Sequence, residues 1–224
     1  MTSRTYGQFC GLAHALELVG ERWALLVVRD LIPGPKRFTD LRNGLPRIPT
    51  NVLSARLKEL EGAGVIRRRV LPRPLGGVVY ELTDYGSELE DVVLRLGLWG
   101  ARSLGQPRPE DVVTTDSLLV ALRATFRREA ARGLRVRYEL RLGDVVVHAR
   151  IDHGTLQAAA GPLPEADLVI ETGPALRALL AGELRPSEAI ESGSVRLTGD
   201  PDLLTRFVEV FHIPPPPAPV GLPA

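Results

Sequence analysis

The sequence of 224 residues holds a single cysteine, Cys10, and no long hydrophobic run. One thiol cannot form an intrachain disulfide, which excludes a fold built on a disulfide framework. No apolar stretch approaches the roughly 18 residues that a membrane helix requires, and the first residues lack the charged and apolar segments of a secretory signal. These absences predict a soluble, cytoplasmic protein that does not contact the membrane.

The sequence also lacks the short motifs that carry common enzyme chemistry. It has no Gly-x-Ser-x-Gly nucleophile motif, no phosphate-binding loop and no His-Glu-x-x-His zinc motif. Its histidines fall in no Cys/His spacing that resembles a zinc site. We therefore expect no catalytic residue, no metal site and no cofactor, and a protein that is not an enzyme.

The formal net charge is only +1, but positive charge is concentrated in one stretch. Residues 36–73 hold ten basic and three acidic residues, which gives this stretch a net charge of +7. A local basic patch is the electrostatic signature of contact with nucleic acid phosphates. The alternative is an ordinary solvated basic face, and the motif within the patch favours nucleic acid over it.

The pattern within this stretch predicts two helices separated by a turn. A short helix spans about residues 37–42, glycine and proline interrupt the chain, and a second helix covers about residues 50–61. One face of the second helix carries apolar side chains at helical spacing: Leu53, Leu57 and Leu60. The opposite face carries short polar groups and one cation: Thr50, Asn51, Ser54 and Lys58. Such a helix suits the major groove of DNA.

The position of each side chain predicts what it contacts on DNA. Thr50, Asn51 and Ser54 oppose the apolar face and are expected at base edges. Arg56 lies between the two faces, and it either contacts a phosphate or pairs with an acid such as Glu59 or Asp40. The remaining predicted contacts are Thr39 in the first helix and the cations expected on phosphates, where they set affinity more than sequence preference: Lys36, Arg37, Arg47, Lys58 and Arg73.

The segments on either side predict further elements of the same domain. Residues 12–32 indicate two helices hinged at Gly20, with apolar stripes that include Leu12 and Leu16. After the second helix of the motif, two strands flank residues 73–77, and a basic hairpin in this place is typical of a wing that contacts phosphates or the minor groove.

A helix is expected to open at residues 83–86 and to run to about residue 104. Its apolar stripe packs on its own domain or pairs with a second subunit, and pairing is favoured because proteins of this kind bind two-fold sites. The stripe consists of Leu89, Val92, Val93, Leu96 and Trp99. Residues 1–104 are thus predicted to form a mostly α winged helix-turn-helix domain that binds DNA and dimerises, and residues 105–111 a linker.

The second half of the chain predicts a different fold class, α+β. A helix over residues 116–132 precedes strands at 134–142, 145–151, 155–160, 166–172 and 194–198, the first two of which alternate strictly between apolar and polar residues. Short helices fall at 175–181, 186–192 and 202–211. We expect an antiparallel sheet with helices on one face over residues 112–212, and a proline-rich flexible tail over 213–224.

Residues 10–104 resemble the HxlR-type winged helix-turn-helix regulators, which are related to the MarR group. The resemblance rests on residues that match in spacing and order: Cys10, Gly20 to Trp23, Gly34 to Phe38, Asp40-Leu41, Leu53 to Leu60, Tyr80 to Thr83, and Gly86. It implies a homodimer whose two recognition helices enter successive major grooves of a pseudo-palindromic DNA operator.

The same resemblance makes Cys10 a candidate thiol sensor, because such regulators often keep a reactive thiol at this position. His14 would lie one helical turn away, and an imidazolium there would favour the thiolate. With one cysteine, a redox signal needs a disulfide between subunits or a mixed adduct. The alternative is that Cys10 is simply a small buried hydrophobic residue.

Residues 112–212 resemble the sterol carrier protein fold. The resemblance rests on Ala166 to Ile170, Leu179 to Pro186, Ala189-Ile190, Ser192-Gly193 and Val195 to Asp200. It implies an apolar tunnel between sheet and helices, which here would bind an effector. Amphipathic phase suggests the residues that would line this cavity: Phe126, Tyr138, Ile190, Phe207 and Phe211.

Together these patterns predict a homodimeric DNA-binding transcriptional regulator whose C-terminal domain binds an apolar or amphipathic small molecule that modulates operator binding. One alternative makes the C-terminal domain a structural, dimer-forming or partner-binding module. A second alternative is a lipid-binding or transfer protein with no role on DNA.

Overall fold

A computed structural model describes residues 5–74 and 76–216 of the chain. Its described part before the first long loop contains six helices and one β-hairpin. They are α1 (Gly11–Val19), α2 (Ala24–Leu31), α3 (Phe38–Gly44), α4 (Thr50–Gly62), β1 (Ile66–Val70), β2 (Val78–Leu82), α5 (Asp84–Ser87) and α6 (Leu89–Ala101). The predicted helix pair and wing are therefore present in the predicted order. The last part of the expected proline-rich tail, residues 217–224, lies outside the described residues.

The chain divides into two compact units, residues 1–93 and residues 94–224. The division falls inside α6, whereas residues 105–111, the expected linker, form neither helix nor strand. The domain boundaries drawn from the sequence stay predictions.

The core of the first unit confirms the amphipathic phase of α4. Leu53, Leu57 and Leu60 are buried, and Leu41 of α3 is buried as well. Burial of three leucine side chains is worth several kcal/mol, roughly 1.5–3 kcal/mol each before conformational entropy is subtracted. This burial fixes which face of α4 points outward.

The stripe predicted for α1 is only partly buried. Val19 is buried, but Leu12 and Leu16 are exposed. Helix α1 ends at Val19, before Gly20, and Trp23 then adopts a left-handed backbone conformation with φ of 80° before α2 begins. The two helices therefore do not continue one apolar face, as a simple hinge would have required.

The wing hairpin is an antiparallel pair in which Ile66 lies opposite Leu82 and Val70 opposite Val78. Thr83 follows β2 and caps α5, because its Oγ1 accepts a hydrogen bond from the Gly86 backbone N–H at 2.9 Å. The same hydroxyl donates to the Gly64 carbonyl at 2.6 Å. The helix that was expected to run unbroken from residue 83 is therefore split into α5 and α6.

The second unit continues with α7 (Thr115–Thr125), β3 (Arg135–Leu142), β4 (Val145–Asp152), β5 (Thr155–Ala160), β6 (Leu168–Thr172), α8 (Ala175–Leu180), α9 (Pro186–Glu191), β7 (Val195–Gly199) and α10 (Asp202–Val210). Helix α7 begins at Thr115, close to the expected start at residue 116, and Thr114 caps it. This helix ends at Thr125, not near residue 132, because the chain turns repeatedly over residues 128–133.

The five strands form one sheet in the order β5-β4-β3-β6-β7. Three of its pairings are antiparallel, but β3 and β6 pair in parallel, with Tyr138 opposite Leu168. The expectation of a fully antiparallel sheet is thus wrong in one pairing. The physical reason is that β4 and β5 occupy one side of β3 as a meander, so the chain must cross back to add β6 on the other side.

The core of this unit lies between one face of the sheet and the helices. Helices α7, α9 and α10 contact the sheet, and its inward side chains, such as Leu140, Ala149 and Ile170, are fully buried. The packed chain extends past α10, since Ile213 is buried and its backbone N–H donates to the Leu180 carbonyl at 2.8 Å.

Candidate nucleic-acid interface

The outward face of α4 presents side chains that can reach base edges. Thr50, Asn51, Ser54 and Lys58 are all exposed, as the phase of the helix predicts. The Ser54 hydroxyl donates to the Thr50 carbonyl at 3.0 Å, which leaves its oxygen free to accept a further bond. Short polar side chains of this kind let a helix approach a groove closely.

Arg56 points away from that face. Its guanidinium lies 2.7 Å from a Glu59 carboxylate oxygen and 3.4 Å from one of Glu21, and only 14% of its side chain is exposed. Of the two roles left open by the sequence, the structure therefore shows the ion pair, with Glu59 as one partner. The second partner is Glu21, not Asp40.

The start of α3 is tied to the wing by backbone and side-chain bonds. Lys36 and Tyr80 exchange two backbone hydrogen bonds, at 2.9 and 2.7 Å. The guanidinium of Arg37 donates to the Gly76 carbonyl at 2.9 Å. A Cβ at position 77 would lie 2.6 Å from this guanidinium, and Gly77 has a φ of 87°, so glycine is needed here. These contacts hold the turn of the wing beside α3.

Three arginines of β1 belong to this surface although they were not singled out by the sequence. Arg67, Arg68 and Arg69 are exposed in the structure. The Nε atoms of Arg67 and Arg69 each donate to Glu81 at 2.8 Å, and these bonds, that of Arg69 first, lower the pKa of Glu81. Arg68, on the other face of the strand, lies 6.0 Å from the centre of the Tyr80 ring. The sequence feature that could have identified these three arginines is the Arg-Arg-Arg run within a predicted strand.

The remaining predicted contacts are placed at the surface. Thr39, Arg47 and Arg73 are exposed, Arg73 next to the tip of the wing. All predicted DNA contacts except Arg56 therefore lie just before α3 or on it, on the following turn, on the outer face of α4 or on the wing. Their contact with DNA remains a prediction.

Cys10 is exposed and precedes α1 as its N-terminal cap residue. Its thiol pKa is lowered by hydrogen bonds from the backbone N–H groups of Ala13 and then Leu12. The expected partner His14 instead has its Nδ1 atom 3.5 Å from Glu17. The lowered thiol pKa thus has its cause at the start of the helix, because Cys10 lies just before α1 and not within it. A sensing role for Cys10 stays a prediction.

The apolar stripe of α6 has two different environments. Val93 is buried, whereas Val92, Leu96 and Trp99 are exposed, Trp99 by 67%. One residue of the stripe thus packs inside its own unit and three are exposed in the single chain, and pairing of this face with a second subunit stays a prediction. Exposed apolar side chains on one helix face are typical of an interface.

Four of the residues predicted to line a ligand cavity form an aromatic cluster. Ring centres of Tyr138 and Phe207 are 5.1 Å apart, those of Phe207 and Phe211 4.7 Å, and those of Phe126 and Phe211 5.7 Å. The Tyr138 hydroxyl donates to the Leu203 carbonyl at 3.2 Å, and burial raises its pKa. Ile190, expected with them, is 40% exposed on α9. The four aromatic rings thus pack against one another in a chain of contacts.

The described residues also form neither a metal cluster nor a membrane-spanning helix. In the part of the chain that the structure describes, no three His, Cys, Asp or Glu side chains are grouped closely enough to hold a metal ion. None of the described helices combines the length and the apolar composition needed to cross a bilayer.

Two known families match the chain, one in each half. The model of the HxlR-like helix-turn-helix family matches residues 18–107. The model of the alkyl sulfatase C-terminal family matches residues 110–218. The second half is thus similar to a region of alkyl sulfatases, and its resemblance to sterol carrier proteins stays a prediction.

Similar proteins include two from Bacillus subtilis (strain 168). The HTH-type transcriptional regulator YodB is 39% identical over 88 residues, which is 39% of this chain and 79% of that protein. The uncharacterized HTH-type transcriptional regulator YdeP is 37% identical over 93 residues, 42% of this chain and 73% of that protein. Among solved structures, the oxidized form of the redox regulator HypR is 32% identical and covers 43% of this chain and 99% of that chain, with a TM-score of 0.41.

Proposed function

The chain belongs to the HxlR-like helix-turn-helix family, and we propose that it acts as a homodimeric, non-enzymatic transcriptional regulator that binds double-stranded operator DNA in the cytoplasm. The observation that carries the proposal is the outer face of α4, where Thr50, Asn51 and Ser54 are exposed opposite three buried leucines. These three side chains read base edges in the major groove.

Basic side chains around α4 contact phosphates and orient the protein on the duplex. Four of the predicted cations are exposed: Arg37, Arg47, Lys58 and Arg73. Lys36, which is half-buried, and the three arginines of β1 add to the same surface. We leave Arg56 out of the set, because a guanidinium held between Glu21 and Glu59 would have to break two ion pairs to reach DNA.

The dimer is formed through the uncovered face of α6. Val92, Leu96 and Trp99 are large apolar side chains that would be covered by the same face of a second copy. Burying a tryptophan at the centre of an interface is a common source of affinity. Two α4 helices held in this way would enter successive major grooves about one helical turn apart.

The C-terminal unit binds a small-molecule effector that changes operator affinity. Ordinary allosteric coupling of this kind amounts to roughly 1–3 kcal/mol. Its alternative role is structural or partner-binding, and the mutual packing of Phe126, Tyr138, Phe207 and Phe211 favours that alternative for the aromatic interior. Native mass spectrometry of freshly purified protein separates the two, since an effector site predicts a co-purified small molecule that is released on denaturation.

Operator binding is tested by selecting duplexes from a random pool and titrating the best one by fluorescence anisotropy at several salt concentrations. Asn51→Ala should lower the preference for the selected site about tenfold or more, since it removes a bidentate contact to a base. Arg73→Ala should weaken binding to every duplex and reduce the salt slope by about one.

The matched control is Arg132→Ala, which removes an exposed arginine paired with Glu129 in the second unit. This variant should bind like the parent protein. Failure of the parent protein to bind any duplex at low salt would contradict the proposal and favour the lipid-binding alternative. An unchanged salt slope in Arg73→Ala would contradict the role of the wing.

A further inference from the structure

A polar cleft of about 390 Å³ opens at the end of the sheet in the second unit. Its walls come from the ends of β3 and β6, the turn between β3 and β4, and the loop before β7. Arg141, Glu171 and Arg196 lie in one row across three strands, because Glu171 is opposite Arg141 on one side and opposite Arg196 on the other. Their side chains are on the face of the sheet away from the core.

Two guanidinium groups converge on one carboxylate in this cleft. Nη1 of Arg141 lies 3.3 Å from one oxygen of Glu171, and Nε of Arg196 lies 3.4 Å from the other. Both distances exceed the roughly 2.7–2.9 Å of a good charge-assisted hydrogen bond. Glu171 is therefore held less tightly than in a short ion pair. All three guanidinium nitrogens of Arg141 have a carboxylate partner, since its Nη2 lies 2.7 Å from Glu139, whereas Arg196 contacts Glu171 through Nε.

Arg141 is itself held in place by Glu139 on the same strand. Its Nε donates to Glu139 at 2.7 Å, and the other oxygen of Glu139 accepts the Leu163 backbone N–H at 2.6 Å. Glu139 is almost fully buried, with 2% exposure. This contact orients the guanidinium so that Nη1 faces the cleft, which is the kind of fixed donor that a binding site requires.

The rest of the lining supplies hydroxyl groups and open backbone. Ser194 contributes a hydroxyl that lies 2.9 Å from that of Ser192, whereas the Thr172 hydroxyl is on the other face of the sheet and donates to the Ser194 carbonyl at 3.4 Å. Gly143 and Gly193 leave the entrance open, since a Cβ at either position would meet no atom within 4 Å. Hydroxyls and guanidinium groups on the same small surface are the donors that proteins use for oxyanions. The lining has little apolar area to hold a hydrocarbon chain.

We propose that this cleft binds a small phosphate monoester through Arg141, Arg196 and the hydroxyl of Ser194, and that the phosphate displaces Glu171 from between the two arginines. The ligand must be a dianion because it competes with the Glu171 carboxylate, which the fold keeps beside the arginines at a high effective concentration. A monoanion would only replace one single negative charge by another. The cleft lies at the lower end of the usual size range for ligand sites, which suits a ligand of sugar-phosphate size.

The site does not depend on the proposed DNA function, because every residue that lines it belongs to residues 94–224. It also differs in chemistry from an apolar effector site. Its ligand would be recognised by charge and hydroxyl donors instead of burial of hydrocarbon. Operator binding and phosphate binding can therefore fail separately.

The test is isothermal titration of the full chain with glycerol 3-phosphate, compared with methyl sulfate, which has the same tetrahedral group but a single charge. Glycerol 3-phosphate should bind and methyl sulfate should bind at least about tenfold more weakly. Arg196→Ala removes one charged donor and should weaken glycerol 3-phosphate binding about tenfold or more. The Arg196 side chain is 81% exposed, so this variant should fold normally.

Glu171→Gln separates a binding site from a purely structural row of ion pairs. Without the competing carboxylate, the affinity for glycerol 3-phosphate should rise several-fold, while a structural role predicts no gain. Arg132→Ala, distant in sequence and paired elsewhere, should change nothing. Absence of binding, equal binding in Arg196→Ala, or no gain in Glu171→Gln would each overturn the proposal.

A phosphate monoester can also be a lipid headgroup, and a vesicle arm identifies the source. Vesicles of phosphatidylcholine with and without phosphatidic acid are sedimented with the protein. Co-sedimentation that requires phosphatidic acid and is lost in Arg196→Ala supports the same site with a lipid ligand. Binding of glycerol 3-phosphate without co-sedimentation supports a soluble ligand.

Discussion

Gly86 lies in α5 with its backbone against the loop before the wing. A Cβ at this position would be only 1.9 Å from the Val65 carbonyl oxygen. Since Val65 is buried and its carbonyl carbon and oxygen are backbone atoms, neither side can yield without moving the start of β1. The glycine thus permits a close approach between two segments, and the requirement is steric rather than conformational.

Gly86→Ala should therefore destabilise the protein by about 1–3 kcal/mol, the usual range for forcing an extra methyl group into a packed site. The free energy of unfolding is measured by urea denaturation with circular dichroism. Gly62→Ala is the matched control, because a Cβ there would meet nothing within 4 Å. Equal stability of the two variants would contradict the steric argument.

Cys10 gives a second prediction at the scale of one residue. The N–H groups of Ala13 and Leu12 lower its pKa, so the thiolate forms at lower pH than in an ordinary cysteine. The rate of alkylation by iodoacetamide should rise with pH to a plateau, with a midpoint below that of glutathione measured in parallel. Because the chain has no other cysteine, Cys10→Ser should show no labelling.

A midpoint equal to or above that of glutathione would contradict the activation of Cys10 by the helix. The sequence could place the thiol before a helix but could not identify what activates it. His14 was expected to do so, and this would have required Cys10 to be inside the helix. Whether a residue lies one position before or after a helix start is decided by backbone geometry that periodicity does not resolve.

At the scale of the element, helices with one buried face were predicted well. The period of Leu53, Leu57 and Leu60 identified α4, and the same leucines are buried in the structure. Ion-pair partners that lie far apart in the sequence were harder to predict. Arg56 lies between the two faces of its helix, and its partner Glu21 belongs to a different part of the chain. Sequence spacing constrains neighbours one turn apart and says nothing about such a pair.

The sheet shows the same limit. Alternation of apolar and polar residues predicted β3 and β4 closely, because one face of each is buried. Alternation is identical for parallel and antiparallel neighbours, so it could not predict that β6 pairs in parallel with β3. Strand order depends on how the chain crosses the sheet, and the loop over residues 161–167 carries no pattern that specifies it.

The exposed apolar face of α6 gives a testable prediction about the dimer at the scale of the element. Trp99→Glu places a charge on the exposed apolar face and should weaken the dimer at least about tenfold, because a buried aromatic anchor is lost and a carboxylate must be desolvated. Sedimentation velocity over a range of concentrations gives the dissociation constant. Ile190→Glu, also an exposed apolar residue but on α9, should leave the constant unchanged. A Trp99→Glu protein that dimerises like the parent would contradict the role of this face.

At the scale of the whole molecule, the sequence separated two halves that differ in charge and in the periodicity of their apolar residues. The first has the basic stretch of residues 36–73 and helical periods, and the second has strand alternation. The two family matches, 18–107 and 110–218, fall on the same halves. The sequence could not predict the residue at which α6 passes from the first unit to the second. The reason is that one unbroken helical period spans the point where the packing changes.

The proposed dimer makes a geometric prediction for its operator. Two α4 helices held at a fixed separation can occupy only half-sites about 10 base pairs apart on the same side of the duplex. Inserting about five base pairs between the half-sites turns one of them to the opposite side, and only one subunit can then bind its site. Affinity should fall at least about tenfold, because the second contact no longer benefits from the first.

Fluorescence anisotropy with the selected operator measures this loss. A duplex of unchanged length, in which the base pairs between the half-sites are replaced, is the control and should retain most of the affinity. Equal affinity for the parent and the lengthened operator would mean that each subunit binds independently. That result would leave the base contacts of α4 intact while contradicting a dimer that holds the two helices at one separation.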